Sequence, residues 1–364
     1  MQRILVDQAN IRSAHLASTP DAALGEGQAR LTIESFSLTT NNVTYSATGD
    51  VLKYWQFFPS GQSGQGIVPV WGTAHVSESR AACLPIGTRL YGYLPMADHL
   101  VITPEQTSAQ TFSDIAPHRA GLAAVYNSYT EVAPANPRSD ALRALLQPLL
   151  ATSWLLADWL ADNAFFEADQ IIIGSASSKT GLGLCKFLKE ISPRPFQIVG
   201  LTSQSNTAFV ESLGACDLVL PYDALETLPP KASVYVDMAG NAAVKSRLHH
   251  HLGATLKHSA AVGTSHWDQF PPPQNLPGPK PQFFFAPAQI AKRRAEWGAG
   301  EINRQIPAAW QRIANDAADW LDIIPHSGLA AAPALWTRLA SGAVPPREGH
   351  ILHVSPPAAK GPLA

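Results

Sequence analysis

Ile173-Gly174-Ser175-Ala176-Ser177-Ser178-Lys179-Thr180-Gly181 follows the apolar run Gln170–Ile173 and opens a helix-like stretch, Thr180–Glu190. A strand that ends in a loop of tiny residues and turns into a helix is the layout of a phosphate cradle. Small side chains let backbone N–H groups approach a pyrophosphate, and the helix N-terminus adds partial positive charge. The glycine spacing G-x-G-x-x-G is not present as such. Ser178 stands where the close-approach glycine belongs, and Gly181 where helix and sheet pack. The serines offer hydroxyls and Lys179 a point charge to phosphate oxygens. The alternative is an ordinary βα turn that binds nothing. The candidate cofactor contacts are Gly174, Ser175, Ala176, Ser177, Ser178, Lys179, Thr180 and Gly181.

Downstream, strands and helices alternate. Strands are expected at Ile171–Ile173, Phe196–Leu201, Leu218–Leu220, Ser233–Asp237 and Thr255–Val262, and helices at Thr180–Glu190, Asn206–Leu213 and Ala242–His251. The strands are apolar throughout, as parallel strands covered on both faces must be. Short links between them indicate βαβ units in a doubly wound α/β sheet. Gln282–Phe285 reads as one more strand in a proline-rich stretch. Helices are expected over Ala288–Trp297, Pro307–Leu321 and Leu329–Ala340, and a closing strand over His350–Val354.

The end of the second strand selects the nucleotide. An acid there holds an adenine-ribose 2′-hydroxyl and repels a 2′-phosphate. Gly200-Leu201 leads instead into Thr202-Ser203-Gln204-Ser205-Asn206, and no acid occurs between Glu190 and Glu211. Thr202, Ser203 and Asn206 therefore favour NADP(H) over NAD(H), although the same residues also suit an N-cap turn.

Upstream, Ala29–Leu38 alternates, and short apolar runs at Gly66–Trp71, Thr88–Leu94 and Leu100–Ile102 are punctuated by Gly and Pro, as in a barrel-like β module. Ser139–Asn163 reads as helical, kinked or divided at Pro148. The 364 residues, 46% apolar and 15% charged with a net charge of -2, suit two globular domains and no nucleic-acid partner. No run reaches the ~18 consecutive apolar residues of a membrane span. With no signal-like apolar region after Met1, a cytoplasmic location is expected. Cys83, Cys185 and Cys216 show no paired spacing and read as free thiols.

The chain resembles the medium-chain dehydrogenase/reductase superfamily, in particular its zinc-free quinone and enoyl reductase branch. The resemblance rests on Leu84-Pro85-Ile86-Gly87-Thr88-Arg89-Leu90-Tyr91-Gly92, Ala97–Pro104, Ser37–Tyr45, Leu213-Gly214-Ala215-Cys216-Asp217, Val236-Asp237-Met238-Ala239-Gly240 and Gly349-His350-Ile351-Leu352. Within that superfamily it is most similar to a little-characterised bacterial and fungal offshoot, a domain of unknown function. The resemblance implies a Rossmann domain over 139–305 and a GroES-like β-rich domain made from 1–138, with an extra segment near 105–138, and from 306–364. Cofactor and substrate would meet between them.

It further implies that Ala239, Gly240, Gly263 and Thr264 touch the cofactor, and that Asn42 and Tyr45 stand beside the nicotinamide. Tyr45 is the candidate acid for a developing enolate or alkoxide, and Asn42 the candidate orienting residue. Each is also readable as a buried tyrosine and a turn asparagine. Tyr54, Trp71 and Tyr126 are candidate pocket residues, or core. The zinc branch's ligand cluster is missing: Pro69–Val76 supplies His75 alone, and no metal is expected. His249-His250-His251 are consecutive helix positions and do not face one way. A small-molecule substrate and a homodimer complete the expectation. The alternative is a nucleotide-binding descendant without turnover.

Overall fold

Ile171, Ile172 and Ile173 leave no side for solvent, and all three are fully buried in a six-stranded sheet. The computed structural model describes residues 1–263 and 276–354. The chain divides into two compact units, Met1–Leu145 with Leu321–Ala364, and Leu146–Trp320.

In the central unit every strand pairing is parallel. The sheet runs Leu218–Pro221, Gln197–Thr202, Gln170–Gly174, Ser233–Asp237, Leu256–Ala261, Gln282–Phe283. Numbered by chain position, that order is 3-2-1-4-5-6, the doubly wound dinucleotide-binding order. Its topological switch point lies between Gln170–Gly174 and Ser233–Asp237. Leu225, Leu228, Val244, Leu248 and Leu252 close one core layer on Ile172, Val199 and Tyr235.

The other unit is β-rich and uses both chain ends. Its large sheet runs Asp322–Ser327, Glu348–His353, Ala29–Leu38, Pro69–Ser79, Arg89–Pro95, Ser128–Glu131, Thr111–Asp114, Pro104–Ser108. The last strand returns antiparallel on Ala29–Leu38, with His350 opposite Leu38. The extra segment thus adds strands to one sheet edge. Two further strands, Gln2–Asp7 and Ala14–Ser18, lie outside the sequence expectation. Together the two sheets are the Rossmann and GroES-like fold.

Two expectations are corrected. Helix Pro137–Asp162 is continuous through Pro148. A proline there has no N–H for the carbonyl of Ala144, four residues back. Ser37 Oγ donates to that carbonyl instead, at 2.8 Å, so the helix need not break. Helix Ala299–Asn315 likewise starts well before Pro307. The segment after Thr39 is a helix, Thr40–Ala47. Among the described residues, Pro137–Asp162 is the one helix long and apolar enough to cross a membrane. Its Leu145, Leu146, Leu150, Leu155, Leu156 and Leu160 are fully buried inside the protein.

Candidate functional site

Candidate residues gather in two places, one in each unit. In the central unit they lie at the carboxyl ends of the parallel strands, where ligands of such sheets bind. Gly174 ends its strand, and Ser175 takes a left-handed conformation (φ +56). Ser178 caps helix Lys179–Lys189: its Oγ accepts from Gly181 N at 3.1 Å and donates to the Ser175 carbonyl at 2.7 Å. Ala176 N donates to the Leu201 carbonyl at 3.0 Å, tying the loop to the second strand.

The glycines are required by space. A Cβ on Gly181 would stand 2.5 Å from the Ser175 carbonyl oxygen, and one on Gly174 would stand 2.7 Å from the Tyr235 hydroxyl. With no side chain at either glycine, strand end, loop and helix N-terminus pack as closely as a dinucleotide pyrophosphate cradle requires, and these residues fit that group. Lys179 and Thr180 begin the helix; the Thr180 carbonyl accepts from Ser153 Oγ at 2.7 Å.

Ser177 Oγ accepts from Thr202 Oγ1 at 3.0 Å and from Asn206 Nδ2 at 3.4 Å. The structure therefore joins the loop and the acid-free turn into one hydroxyl–amide cluster. Ser203 is half-buried beside the exposed Ser205, hydroxyl to hydroxyl at 3.1 Å. Ala239 N and Gly240 N donate to Asp237 Oδ1 at 3.2 and 2.9 Å. Gly263 sits against that strand end, where a Cβ would meet the Met238 carbonyl oxygen at 2.1 Å. Thr264 lies outside the described residues.

Sequence reasoning missed the phenols behind the cradle. Tyr235 is fully buried on the strand beside Gly174, and burial keeps its phenol well above the ordinary range. Tyr222 hydrogen-bonds Ser175, and burial pushes its phenol up to about 12. A tyrosine inside the apolar Val234-Tyr235-Val236 run was the available signal. Cys185 and Cys216, distant in sequence, meet as hydrogen-bonded thiols, and that contact with burial pushes Cys185 up.

In the β-rich unit Tyr45, Tyr54, Trp71 and Tyr126 come together. Tyr45 and Tyr54 rings lie 4.5 Å apart, and the Tyr54 and Tyr126 hydroxyls meet at 3.2 Å. Trp71 Nε1 donates to the Tyr45 hydroxyl at 3.2 Å. Tyr93 and Phe57, not foreseen, pack on the same rings. Burial raises Tyr45, Tyr54, Tyr93 and Tyr126 above the ordinary phenol range, so each stays a protonated donor at neutral pH. Asn42 is on the same helix but turned to its cap. Its Oδ1 accepts from Thr39 N at 2.7 Å and its Nδ2 donates to the Pro69 carbonyl at 2.9 Å.

His75 Nδ1 pairs with Glu34 at 3.2 Å, and Glu34 also takes Arg89 at 2.7 Å. His249, His250 and His251 bond to Pro277, Ser246 and Leu228 respectively. Among the described residues no group of three metal-ligating side chains converges.

A family profile described as "Protein of unknown function (DUF2855)" matches residues 36–345. A search of curated proteins finds no match. Solved structures match the whole chain at low identity. CurA from Vibrio vulnificus, in complex with NADPH, has a TM-score of 0.62 at 12% identity, covering 98% of this chain and 100% of that one. The yhdH oxidoreductase from Salmonella enterica, in complex with NADP, gives 0.55 at 14%, covering 98% and 100%. The quinone oxidoreductase from Coxiella burnetii gives 0.52 at 15%, covering 97% and 99%. At these identities the likeness establishes the fold.

Proposed function

The chain belongs to the DUF2855 family, and we propose that it is an NADPH-dependent reductase of small, mostly apolar substrates carrying an activated C=C or C=O bond. The observation that carries this reading is the built cradle at Gly174–Gly181, at the switch point of a 3-2-1-4-5-6 sheet. The NADP- and NADPH-bound state of structures sharing the fold supports it.

Gly174, Ser175, Ala176, Ser178 and Gly181 would receive the pyrophosphate. Lys179, Ser203 and the Ser177–Thr202–Asn206 cluster would receive the 2′-phosphate, with no acid to repel it. Ala239, Gly240, Gly263 and Thr264 would border the nicotinamide. The bound nucleotide supplies hydride, and the chain must supply a proton to the oxygen where charge develops. Tyr45 suits that task. Its oxygen accepts from Trp71 Nε1, which leaves the phenol its own proton to donate, and burial keeps that proton in place. Tyr54, Trp71 and Tyr126 would give an apolar substrate its aromatic contacts. Asn42, with both polar groups engaged, positions the Tyr45 helix. The protein is proposed to act in the cytoplasm. The outer strand Gln282–Phe283, with Phe283 exposed, is the edge on which a second copy would pair.

Fluorescence titration tests the reading: NADPH is expected to bind at low micromolar concentration and more tightly than NADH. No binding at high micromolar NADPH sinks it. The second reading, a nucleotide-binding protein without turnover, is favoured by the ring-on-ring packing of Tyr45, Tyr54, Tyr93 and Tyr126. NADPH binding with no oxidation across an enone, quinone and aldehyde panel would select it.

A further inference from the structure

Asp237 ends its strand at the switch point, in register with Gly174 of the cradle. An acid at this place needs an electrostatic account. A dinucleotide carries its negative charge across this edge, and a carboxylate buried at such a place repels it through a poorly screening medium. The side chain is 2% exposed, and its environment shows how the charge is handled. Oδ1 accepts from Ala239 N and Gly240 N. Tyr235 hydrogen-bonds the same carboxylate. Oδ2 meets Lys245 Nζ at 3.0 Å, from helix Ala242–Leu252.

Lys245 is itself buried, with its side chain 10% exposed. Among the described residues, Tyr222, Tyr235 and His249 face the pair and carry no charge. Tyr222 and Tyr235 are held protonated by burial. His249, one turn beyond Lys245, is fully buried between the Pro277 carbonyl at Nδ1 (2.9 Å) and Ser259 Oγ at Nε2 (3.0 Å). Burial lowers its affinity for a second proton, so it stays neutral. Among the described residues, Lys245 is thus the cation that cancels the carboxylate's charge.

We propose that Lys245 is a positioning residue for the dinucleotide: its buried ammonium cancels Asp237, so that the carboxylate can hold the Ala239–Gly240 turn without repelling the phosphates. The inference rests on the NADPH reading of the cradle. Sign is what separates it from a merely structural ion pair. A structural pair loses as much when either partner is removed. A charge-cancelling pair does not, because a lone buried lysine attracts phosphate and a lone buried aspartate repels it.

NADPH titration of full-length Lys245→Met, Asp237→Asn, the double variant and Lys245→Arg tests this, with thermal unfolding measured alongside. Lys245→Met is expected to weaken NADPH by about 30-fold, Asp237→Asn by less than about 3-fold, and the double variant to return to within about 5-fold of wild type. Lys245→Arg should rescue. Should Lys245→Met fail to fold, the double variant carries the test: it must bind as Asp237→Asn does. Equal weakening by both single variants, or a double variant as weak as Lys245→Met, overturns the inference and leaves the cofactor reading standing. Wild-type protein that binds no NADPH overturns both.

Discussion

The strand-end cradle and the aromatic cluster are opposite solutions to holding a ligand. The cradle is made of close approach: Gly174 and Gly181 pack so tightly on the Tyr235 hydroxyl and the Ser175 carbonyl that one added carbon would collide. Its polar groups are backbone N–H, hydroxyl, one amide and the Lys179 ammonium. The cluster is made of bulk: Tyr45, Tyr54, Trp71, Tyr93 and Tyr126 fill space with rings 4.5 to 6.4 Å apart. The first suits a charged, polar nucleotide that must be approached closely. The second suits a flat or greasy molecule and a protonated phenol. The difference also separates their vulnerabilities, one to added volume and charge, the other to loss of protons.

Loss of protons gives the largest expected effect. Tyr45, Tyr54, Tyr91, Tyr93 and Tyr129 are buried in the β-rich unit, and burial raises each above the ordinary value. Below pH ~10 native and unfolded phenols are both protonated, and the groups are neutral to stability. Above it the unfolded phenols ionise while the native ones do not, so the native state binds more protons and stability falls. Each group removes about 1.4 kcal/mol per pH unit until its folded pKa is reached. The β-rich unit should therefore lose near-UV circular dichroism in one cooperative alkaline step, together with phenol ionisation. Phenols that titrate singly near pH ~10 with the signal intact would dissolve the contrast.

Added volume comes next. Gly181→Val would drive a side chain into the Ser175 carbonyl, which is backbone and cannot step aside. NADPH binding should weaken by more than about 100-fold, with the aromatic signal of the β-rich unit unchanged. Unchanged binding would mean that the loop is no cradle. Added charge is milder. Ser203→Glu restores the acid that the turn lacks and should weaken NADPH by about 30-fold while leaving NADH within about 3-fold. Equal loss of both nucleotides would place the 2′-phosphate elsewhere.

The two regions were also unequally legible. The cradle is local: strand, loop and helix lie within twenty residues, so spacing of small residues exposed it. The acid-free turn was equally local, and only its hydrogen bonds to Ser177 needed coordinates. The sequence marks Tyr54, Trp71 and Tyr126 as pocket candidates and Tyr45 as the candidate acid, but nothing in their spacing says that their rings touch. Tyr93 and Phe57 escaped because an aromatic in an apolar strand or turn looks like any core residue. Pro148 misled for a related reason: local propensity demands a break, and the hydroxyl that removes the demand comes from Ser37, over a hundred residues away. Lys245 was invisible because one lysine on an amphipathic helix ordinarily faces water.

Tyr45→Phe is the smallest change and the one that decides what the cluster is for. It removes one oxygen and keeps the ring packing. Trp71 Nε1 loses its acceptor, which should cost about 1 kcal/mol of stability. If Tyr45 only packs, nothing else follows. If it donates the proton, turnover should fall by about 10- to 100-fold with NADPH affinity unchanged, because the cradle is built from other residues. The substrate KM should move little, since aromatic contact survives. A loss confined to KM would instead make the hydroxyl a binding group. Full turnover with the expected loss of stability would return Tyr45 to the core, and the region of bulk would then support the fold while the region of close backbone approach alone carried the ligand.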